Sequence, residues 1–89
     1  MTIWRRLRYA GRVQGVGFRY TAQRLASDYA VDGYVRNLPT GEVELVAGGE
    51  ERIVRTFLTA VANQMTRYIE QSSESEADAS DYGGFHIRY

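Results

Sequence analysis

The sequence predicts an α/β fold of the α+β kind, an antiparallel sheet with two helices on one of its faces. Residues 3–10 alternate between apolar and charged side chains, the period of two typical of a strand with one buried face. From residue 18 the apolar side chains recur at helical spacing instead. This switch from strand to helix occurs twice. The order is therefore β-α-β-β-α-β, and right-handed crossovers turn that order into a ferredoxin-like sandwich.

The first half of the chain supplies a strand, a helix and a hairpin. In the strand, Ile3, Leu7 and Tyr9 share one face with Arg5. The first helix is predicted from one apolar stripe, formed by Phe18, Ala22, Leu25, Ala26 and Tyr29. Residues 33–38 and 42–47 are two further strands. The Pro39-Thr40-Gly41 turn between them indicates a β-hairpin.

The second half begins with a helix and ends with two less regular strands. The helical stripe comprises Ile53, Val54, Phe57, Leu58 and Val61. Glu50 and Glu51 stand in its first turn, where the helix dipole favours negative charge. Residues 65–71 are predicted to be the fourth strand and residues 85–89 a closing strand, the two forming a last hairpin. The segment 72–81, SSESEADASD, has almost no apolar side chain and is predicted to be a mobile acidic loop.

Length and composition restrict the class of protein. With 89 residues there is room for one domain, residues 1–89. The chain contains no cysteine and no lysine. Disulfides, thiolate nucleophiles, Schiff-base lysines and P-loop lysines are therefore excluded. No apolar run is long enough to span a membrane, and the N-terminus lacks the pattern of a signal peptide. We therefore expect a cytoplasmic protein without membrane association.

The charges are divided between the two halves of the chain. Residues 1–40 hold seven arginines against two acids, a net charge of +5, whereas residues 41–89 hold four arginines against nine acids, a net charge of −5. A basic half can attract anions to a site within it. A scatter of solvated surface arginines would give the same count, so the charge alone does not identify a site.

The stretch GRVQGVGFRY, residues 11–20, is the strongest candidate for a site. It lies between a predicted strand and the start of a helix, where backbone N–H groups have no intrahelical partner. Such groups in a glycine-rich turn can converge on an anion, and Arg19 can add its charge. The nucleotide-binding fingerprints do not fit, because G-x-G-x-x-G would need a glycine at Tyr20. A glycine turn without any ligand is the alternative.

Other polar residues give weaker signals. The only histidine, His86, lies on the last predicted strand, far from any serine motif, and is interpreted as a structural residue. No carboxylate spacing fits a metal site, so we expect no metal. Asn37 lies beside the Pro-Thr-Gly turn, where asparagine is common for conformational reasons. Whether Asn37 reaches the glycine-rich stretch depends on the strand register, which the sequence does not determine.

Three segments resemble the signatures of a known family. GRVQGVGFR (11–19) closely resembles the first signature of the acylphosphatases, and GYVRNLPTGEVELVAGG (33–49) resembles the second. The closing FHIRY (85–89) is similar to the family's terminus. The matches span nearly the whole chain in the right order and spacing. One departure is Tyr34, where tryptophan is commoner.

The resemblance implies a small cytosolic hydrolase that splits acyl phosphates into carboxylate and orthophosphate, without metal or cofactor. It implies that Arg19 binds the phosphate and that Asn37 positions the attacking water. It also places a cradle of backbone amides at Gln14, Gly15, Val16, Gly17 and Phe18. The expected partner is a small-molecule acyl phosphate, with no nucleic acid, and we expect a monomer.

Three alternatives remain open. RNA-recognition domains share the β-α-β-β-α-β order, but they need stacking aromatics on the third strand, and EVELVA (42–47) has none. Acylphosphatase-like domains also occur within hydrogenase-maturation proteins that handle carbamoyl phosphate. A catalytically silent relative that only binds a ligand is the third possibility, although both matched residues are present.

Overall fold

The computed structural model of the chain describes residues 1–89 and contains five strands and two helices. The strands are β1 (Thr2–Gly11), β2 (Asp32–Asn37), β3 (Val43–Glu50), β4 (Ile69–Glu76) and β5 (Phe85–Arg88). The helices are α1 (Phe18–Ala26) and α2 (Glu51–Gln64). Neither helix combines the length and the apolar content needed to cross a bilayer. The predicted turn at residues 39–41 is confirmed, since the Leu38 N–H donates to the Glu42 carbonyl at 2.8 Å.

The strands form one sheet in the order β4-β1-β3-β2-β5. β1 and β3 are central and antiparallel, β4 pairs antiparallel with β1, and β2 forms the predicted hairpin with β3. The ferredoxin-like sandwich is thus confirmed. One detail differs from the sequence prediction: β5 runs parallel to β2, so the sheet is mixed rather than wholly antiparallel.

Both helices cover the same face of the sheet and enclose a single core. The helical residues of this core are those of the two predicted stripes, with Phe18, Ala22 and Ala26 from α1 and Val54, Phe57, Leu58 and Val61 from α2. The sheet contributes the alternate residues that point toward the helices, among them Leu7, Tyr9, Val35, Val43 and Leu45. α1 ends at Ala26, so Tyr29 packs against the core from the turn that follows. The opposite face of the sheet carries no helix and is called the open face below.

The prediction for residues 65–81 is wrong in two respects. β4 begins at Ile69, four residues later than predicted, and continues to Glu76, through the first five residues of the predicted acidic loop; residues 77–81 are in neither a helix nor a strand. Its side chains carry almost no apolar signal because they lie exposed at the sheet edge, while the backbone pairs with β1. Glu74 also accepts hydrogen bonds from Arg5 Nε at 2.6 Å and Arg55 Nη1 at 2.8 Å. Long-range pairing therefore determines the strand despite its polar sequence.

The second error is the last hairpin, because β4 and β5 lie on opposite edges of the sheet. Residues 77–84 cross from one edge to the other. The Tyr82 ring packs on the open face against Trp4 and Tyr34, with ring centroids 5.6 and 5.5 Å apart. The crossing places β5 beside β2, where Val35 is paired with Ile87. The end of the chain thereby reaches the part of the sheet that holds Asn37.

Candidate active site

The glycine-rich loop, residues 12–17, joins β1 to α1 and adopts a conformation that requires glycine at two positions. Gly15 and Gly17 have φ values of +77° and +79°, in the left-handed region that other L-residues rarely adopt. A Cβ atom at either position would meet no atom within 4 Å. The glycines are therefore needed for the backbone turn and not for close packing, and the space beside them is open.

The loop and the first turn of α1 present a run of unpaired backbone donors. None of the N–H groups from Val13 to Tyr20 donates a hydrogen bond to another protein group, and the first to do so is Thr21, to the Gly17 carbonyl at 2.9 Å. The first N–H groups of any helix lack intrahelical acceptors. Consecutive donors in a tight turn, together with the positive end of the helix dipole, favour an anion.

Arg19 and Asn37 line one pocket with this loop. The pocket has a volume of about 200 Å³, and its lining residues are Val13, Gly15, Gly17, Phe18, Arg19, Tyr20, Asn37, Ile87 and Tyr89. The question that the sequence left open about Asn37 is thus answered by the strand register. Asn37 ends β2 on the helix-covered side of the sheet, alternating with Gly33 and Val35, and this places it at the mouth of the loop.

The Arg19 guanidinium has no acidic partner within the protein. It forms no ion pair or hydrogen bond with a protein carboxylate, and it lies over the ring of Tyr89, whose centroid is 4.9 Å from Cζ. No acidic residue lines the pocket. The positive charge of Arg19 therefore adds to that of the helix N-terminus without being neutralised. The pocket is suited to a small anion, and its size lies below the ~300 Å³ at the lower end of drug-sized sites.

Two of the predicted cradle residues do not line the pocket. Val16 is half-buried against the core. The Gln14 side chain turns away and donates from Nε2 to the carbonyl oxygens of Leu38 and Glu42, both at 2.9 Å. These bonds tie the glycine-rich loop to the β2–β3 turn that follows Asn37. Gln14 therefore holds the two halves of the site together, a contact across 24 residues that no local pattern in the sequence indicates.

Sequence reasoning missed Tyr20, Ile87 and Tyr89 as pocket residues. Tyr20 directly follows Arg19 in the sequence, and this position alone could have indicated that it lines the same pocket. Ile87 and Tyr89 come from the closing strand and the residue after it, so their place depends on the parallel pairing of β5 with β2. In the sequence, the only indication that Ile87 and Tyr89 lie on the same face of the strand is that they follow Phe85 at every second position. His86, on the other side of that strand, is exposed and contacts the Gly83 carbonyl at 3.0 Å.

A second polar cluster lies on the open face, away from the pocket. In this Glu44 cluster the carboxylate of Glu44, only 3% exposed, accepts hydrogen bonds from Tyr34 Oη at 2.9 Å and Arg36 Nε at 2.7 Å. Arg6 Nε lies 3.4 Å from its other oxygen. Burial alone would raise the pKa of Glu44, but the Tyr34 and Arg36 hydrogen bonds and the two positive charges together lower it.

Comparisons with known proteins agree with this architecture. The acylphosphatase family model matches residues 5–87. An acylphosphatase of Methanospirillum hungatei is 40% identical over 81 residues, which cover 89% of each chain. The crystal structure of an acylphosphatase from Bacillus subtilis superimposes with a TM-score of 0.85 and 34% identity over 100% of both chains. A structure of HypF gives the same TM-score at 25% identity, but the match covers only 12% of that longer chain.

The fold is a ferredoxin-like sandwich, and a pocket without acidic residues lies where the first strand leads into the first helix. The family model covers residues 5–87, and the relatives are covered over most of their length. The chain belongs to the acylphosphatase family and is a hydrolase.

Proposed function

We propose that the chain hydrolyses the carboxyl–phosphate bond of small-molecule acyl phosphates, yielding a carboxylate and orthophosphate. One observation carries this proposal: Arg19, Asn37 and a run of unpaired backbone N–H groups face one small pocket that no acid lines. The names of the relatives, acylphosphatases from several organisms, support the same reaction. The roles of the individual residues follow from the chemistry of the step.

The phosphoryl group is held by the loop and by Arg19. Its three non-bridging oxygens accept hydrogen bonds from the backbone N–H groups of Gly15, Gly17 and Phe18, which line the pocket, and from the planar guanidinium of Arg19. Phosphoryl transfer through a loose transition state needs mainly positioning and charge stabilisation. Donors that the fold has already oriented provide both, so few side chains are required.

Asn37 orients the attacking water by hydrogen bonding, in line with the bond that breaks. Water attacks phosphorus, the bond from phosphorus to the bridging oxygen breaks, and the carboxylate departs with the bonding electron pair. The conjugate acid of that leaving group has a pKa near ~4, so it leaves without a general acid. Asparagine cannot accept a proton at neutral pH, and the water's proton passes to an oxygen of the substrate.

We propose that neither a metal nor a cofactor takes part. The polar side chains of the pocket are one guanidinium, one amide and two tyrosine hydroxyls, and the carboxylates on which hard-cation sites usually depend are absent from this lining. We further propose that residues 1–89 act as one domain, because both helices and the sheet enclose a single core, and that this domain acts as a monomer. Cytoplasmic location and the lack of a nucleic-acid partner remain predictions of the sequence.

The test is hydrolysis of benzoyl phosphate, followed by ultraviolet absorbance in the presence of EDTA. We expect turnover by the wild type, a loss of at least ~10²-fold in kcat/KM for Arg19→Ala, by analogy with the removal of one oxyanion donor, and a comparable loss for Asn37→Ala. Arg24→Ala and Asn63→Ala are matched controls, because both side chains are exposed on the helices and neither lines the pocket.

The controls should retain wild-type rates, and circular dichroism should show all four variants folded. A folded wild type that binds inorganic phosphate but hydrolyses no acyl phosphate would contradict the proposal and indicate a phosphate-binding relative. Turnover that EDTA abolishes would contradict the metal-free mechanism while leaving the substrate class intact.

A further inference from the structure

The distribution of exposed apolar side chains is uneven. Only three large hydrophobic residues are strongly exposed, Met1 at 86%, Tyr20 at 68% and Tyr89 at 100%. Two of these three line the pocket of the candidate active site. Leaving large aromatic rings in water gains nothing for the stability of the fold, and exposed apolar groups that cluster at one place often mark a binding surface. The two tyrosines therefore point to a ligand feature beyond the phosphoryl group.

The two rings flank the charged part of the pocket from different elements. Tyr20 follows Arg19 in the first turn of α1. Tyr89 follows β5, and continuing the pairs Val35–Ile87 and Arg36–Arg88 by one residue places it beside Asn37. The Tyr89 ring also lies against the Arg19 guanidinium. The remaining side chains around the rings include Val13 and Ile87, which are apolar.

An acyl phosphate has its acyl group one bridging oxygen away from the phosphoryl group. With the phosphoryl group held at the loop, the acyl group extends toward the accessible side-chain walls of the pocket, which are Tyr20, Tyr89 and the half-buried Ile87. None of these residues carries a formal charge that would pair with a charged acyl group. A flat apolar group can instead pack against the tyrosine rings, in the offset or edge-to-face arrangements that aromatic pairs prefer.

We propose that Tyr20 and Tyr89 form an acyl-binding wall that makes aromatic acyl phosphates better substrates than short aliphatic ones. This inference rests on the proposed function and names the substrate class within it. The wall acts on specificity: contact with an aromatic acyl group strengthens binding, whereas a methyl group has little apolar surface to pack against the rings.

The first test compares kcat/KM for benzoyl phosphate and acetyl phosphate. Intrinsic reactivity differs between these two compounds, so the informative quantity is how their ratio changes on mutation. We expect Tyr20→Ser to lower the benzoyl-to-acetyl ratio about tenfold, the scale on which apolar pockets discriminate. Tyr20→Phe should keep the ratio, because it retains the ring. Gln23→Ser, exposed on α1 and outside the pocket, is the matched control and should also keep it.

The second test does not depend on turnover. Phenacylphosphonate and 2-oxopropylphosphonate carry a CH₂ group in place of the bridging oxygen and cannot be hydrolysed at that bond. We expect calorimetry to show that the wild type binds the phenyl compound about tenfold more tightly, and that Tyr20→Ser abolishes this preference.

The outcomes separate the two proposals. Equal affinity for both phosphonates, or a benzoyl-to-acetyl ratio unchanged in Tyr20→Ser, would overturn the acyl-binding wall even if both acyl phosphates are hydrolysed. Failure to hydrolyse any acyl phosphate would overturn the proposed function. In that case a phenyl preference among the phosphonates that disappears in Tyr20→Ser would still support an aromatic-binding wall beside the phosphate cradle.

Discussion

Two polar regions of this molecule contrast in how their groups are partnered. In the Glu44 cluster both oxygens of a buried carboxylate face tyrosine or arginine partners, at 2.7 to 3.4 Å. In the glycine-rich loop and the first turn of α1, the backbone N–H groups from Val13 to Tyr20 have no protein acceptor, and Arg19 has no acidic partner. The first region pairs its buried carboxylate with positive charges inside the fold, and only Arg6 Nε is buried there without a hydrogen-bond partner. The second region leaves both backbone and side-chain donors available.

Burial and partnering together distinguish polar groups that stabilise the fold from polar groups that are available to a ligand. A buried charge costs several kcal/mol unless it is paired and hydrogen-bonded, so the partners of Glu44 are needed for folding. The exposed loop residues Gly15 and Gly17 keep their backbone N–H groups accessible to water, so these donors incur no such cost and can be directed at an anion. The predictions below test this division, since mutations in one region should change activity and mutations in the other should change stability.

The largest expected effect separates two arginines. Arg19→Ala should lower kcat/KM for acyl phosphate hydrolysis by ~10²–10³, equivalent to about 2.7–4 kcal/mol of transition-state stabilisation, with little change in Tm. Arg36→Ala, which removes a hydrogen bond to Glu44, should do the reverse. Kinetics and thermal denaturation of both variants measure the contrast. Equal rate losses in the two would show that the division is wrong.

The next effect concerns the carboxylate itself. Glu44→Ala leaves the buried Tyr34 hydroxyl without its acceptor and Arg36 and Arg6 without a counter-charge, and should lower the free energy of unfolding by about 1–3 kcal/mol. Urea denaturation measures this loss. Because the Glu44 cluster lies outside the pocket, kcat/KM of the folded fraction should remain at the wild-type value. A lower kcat/KM would show that the Glu44 cluster affects catalysis as well as stability.

A pair of glycines gives a smaller and more specific contrast. Gly15 and Gly83 both have positive φ, +77° and +63°, and a Cβ atom at either would meet no atom within 4 Å. Alanine at each position should cost about 1–2 kcal/mol for the left-handed conformation. Only Gly15→Ala should also weaken binding of inorganic phosphate, measured by calorimetry, because only Gly15 lines the pocket. Equal phosphate affinity in both variants would argue against the cradle.

The smallest expected effect is the dependence of stability on pH. The pKa of Glu44 lies below its ordinary value of 4.5 in the folded protein. The ionised carboxylate therefore contributes stability that is fully present above about that pH and is lost as pH falls through the folded pKa. Thermal denaturation between pH 7 and pH 3 should show a decline that is shallower in Glu44→Gln. An identical decline would assign the effect to other acids, such as Glu74, whose pKa is lowered by Arg5 and Arg55 against the opposing effect of burial.

The elements that could be predicted from the sequence are those in which the local pattern of apolar residues matches the burial of those residues in the fold. The stripes of α1 and α2 and the alternation in β1 report directly which face meets the core. β4 could not be bounded in this way, because an exposed edge strand needs no apolar residues and its limits are determined by pairing with β1. The position of β5 in the sheet could not be predicted either, because no pattern in residues 77–84 indicates at which edge of the sheet the following strand pairs.

In the candidate site, too, the features within one short segment could be predicted from the sequence, whereas contacts between distant segments could not. The glycine-rich loop and Arg19 are contiguous, so a local pattern could indicate them together. The side-chain bonds of Gln14 to the β2–β3 turn and the approach of Tyr89 to Arg19 join segments that are distant in the chain. Only the fold brings them together, and the acyl-binding wall could therefore not be inferred before the register of β5 was known.

The parallel docking of β5 beside β2 has a consequence for how activity appears during folding. The pocket draws on Val13, Asn37 and Ile87, residues spread over most of the chain, and contacts of such long range form late and slowly. A partly folded chain with its helices and central strands in place would still lack one wall of the pocket. Enzymatic activity after dilution from denaturant should therefore require the docking of the last strand, and in a small domain that folds in one cooperative step it should recover together with helical circular dichroism.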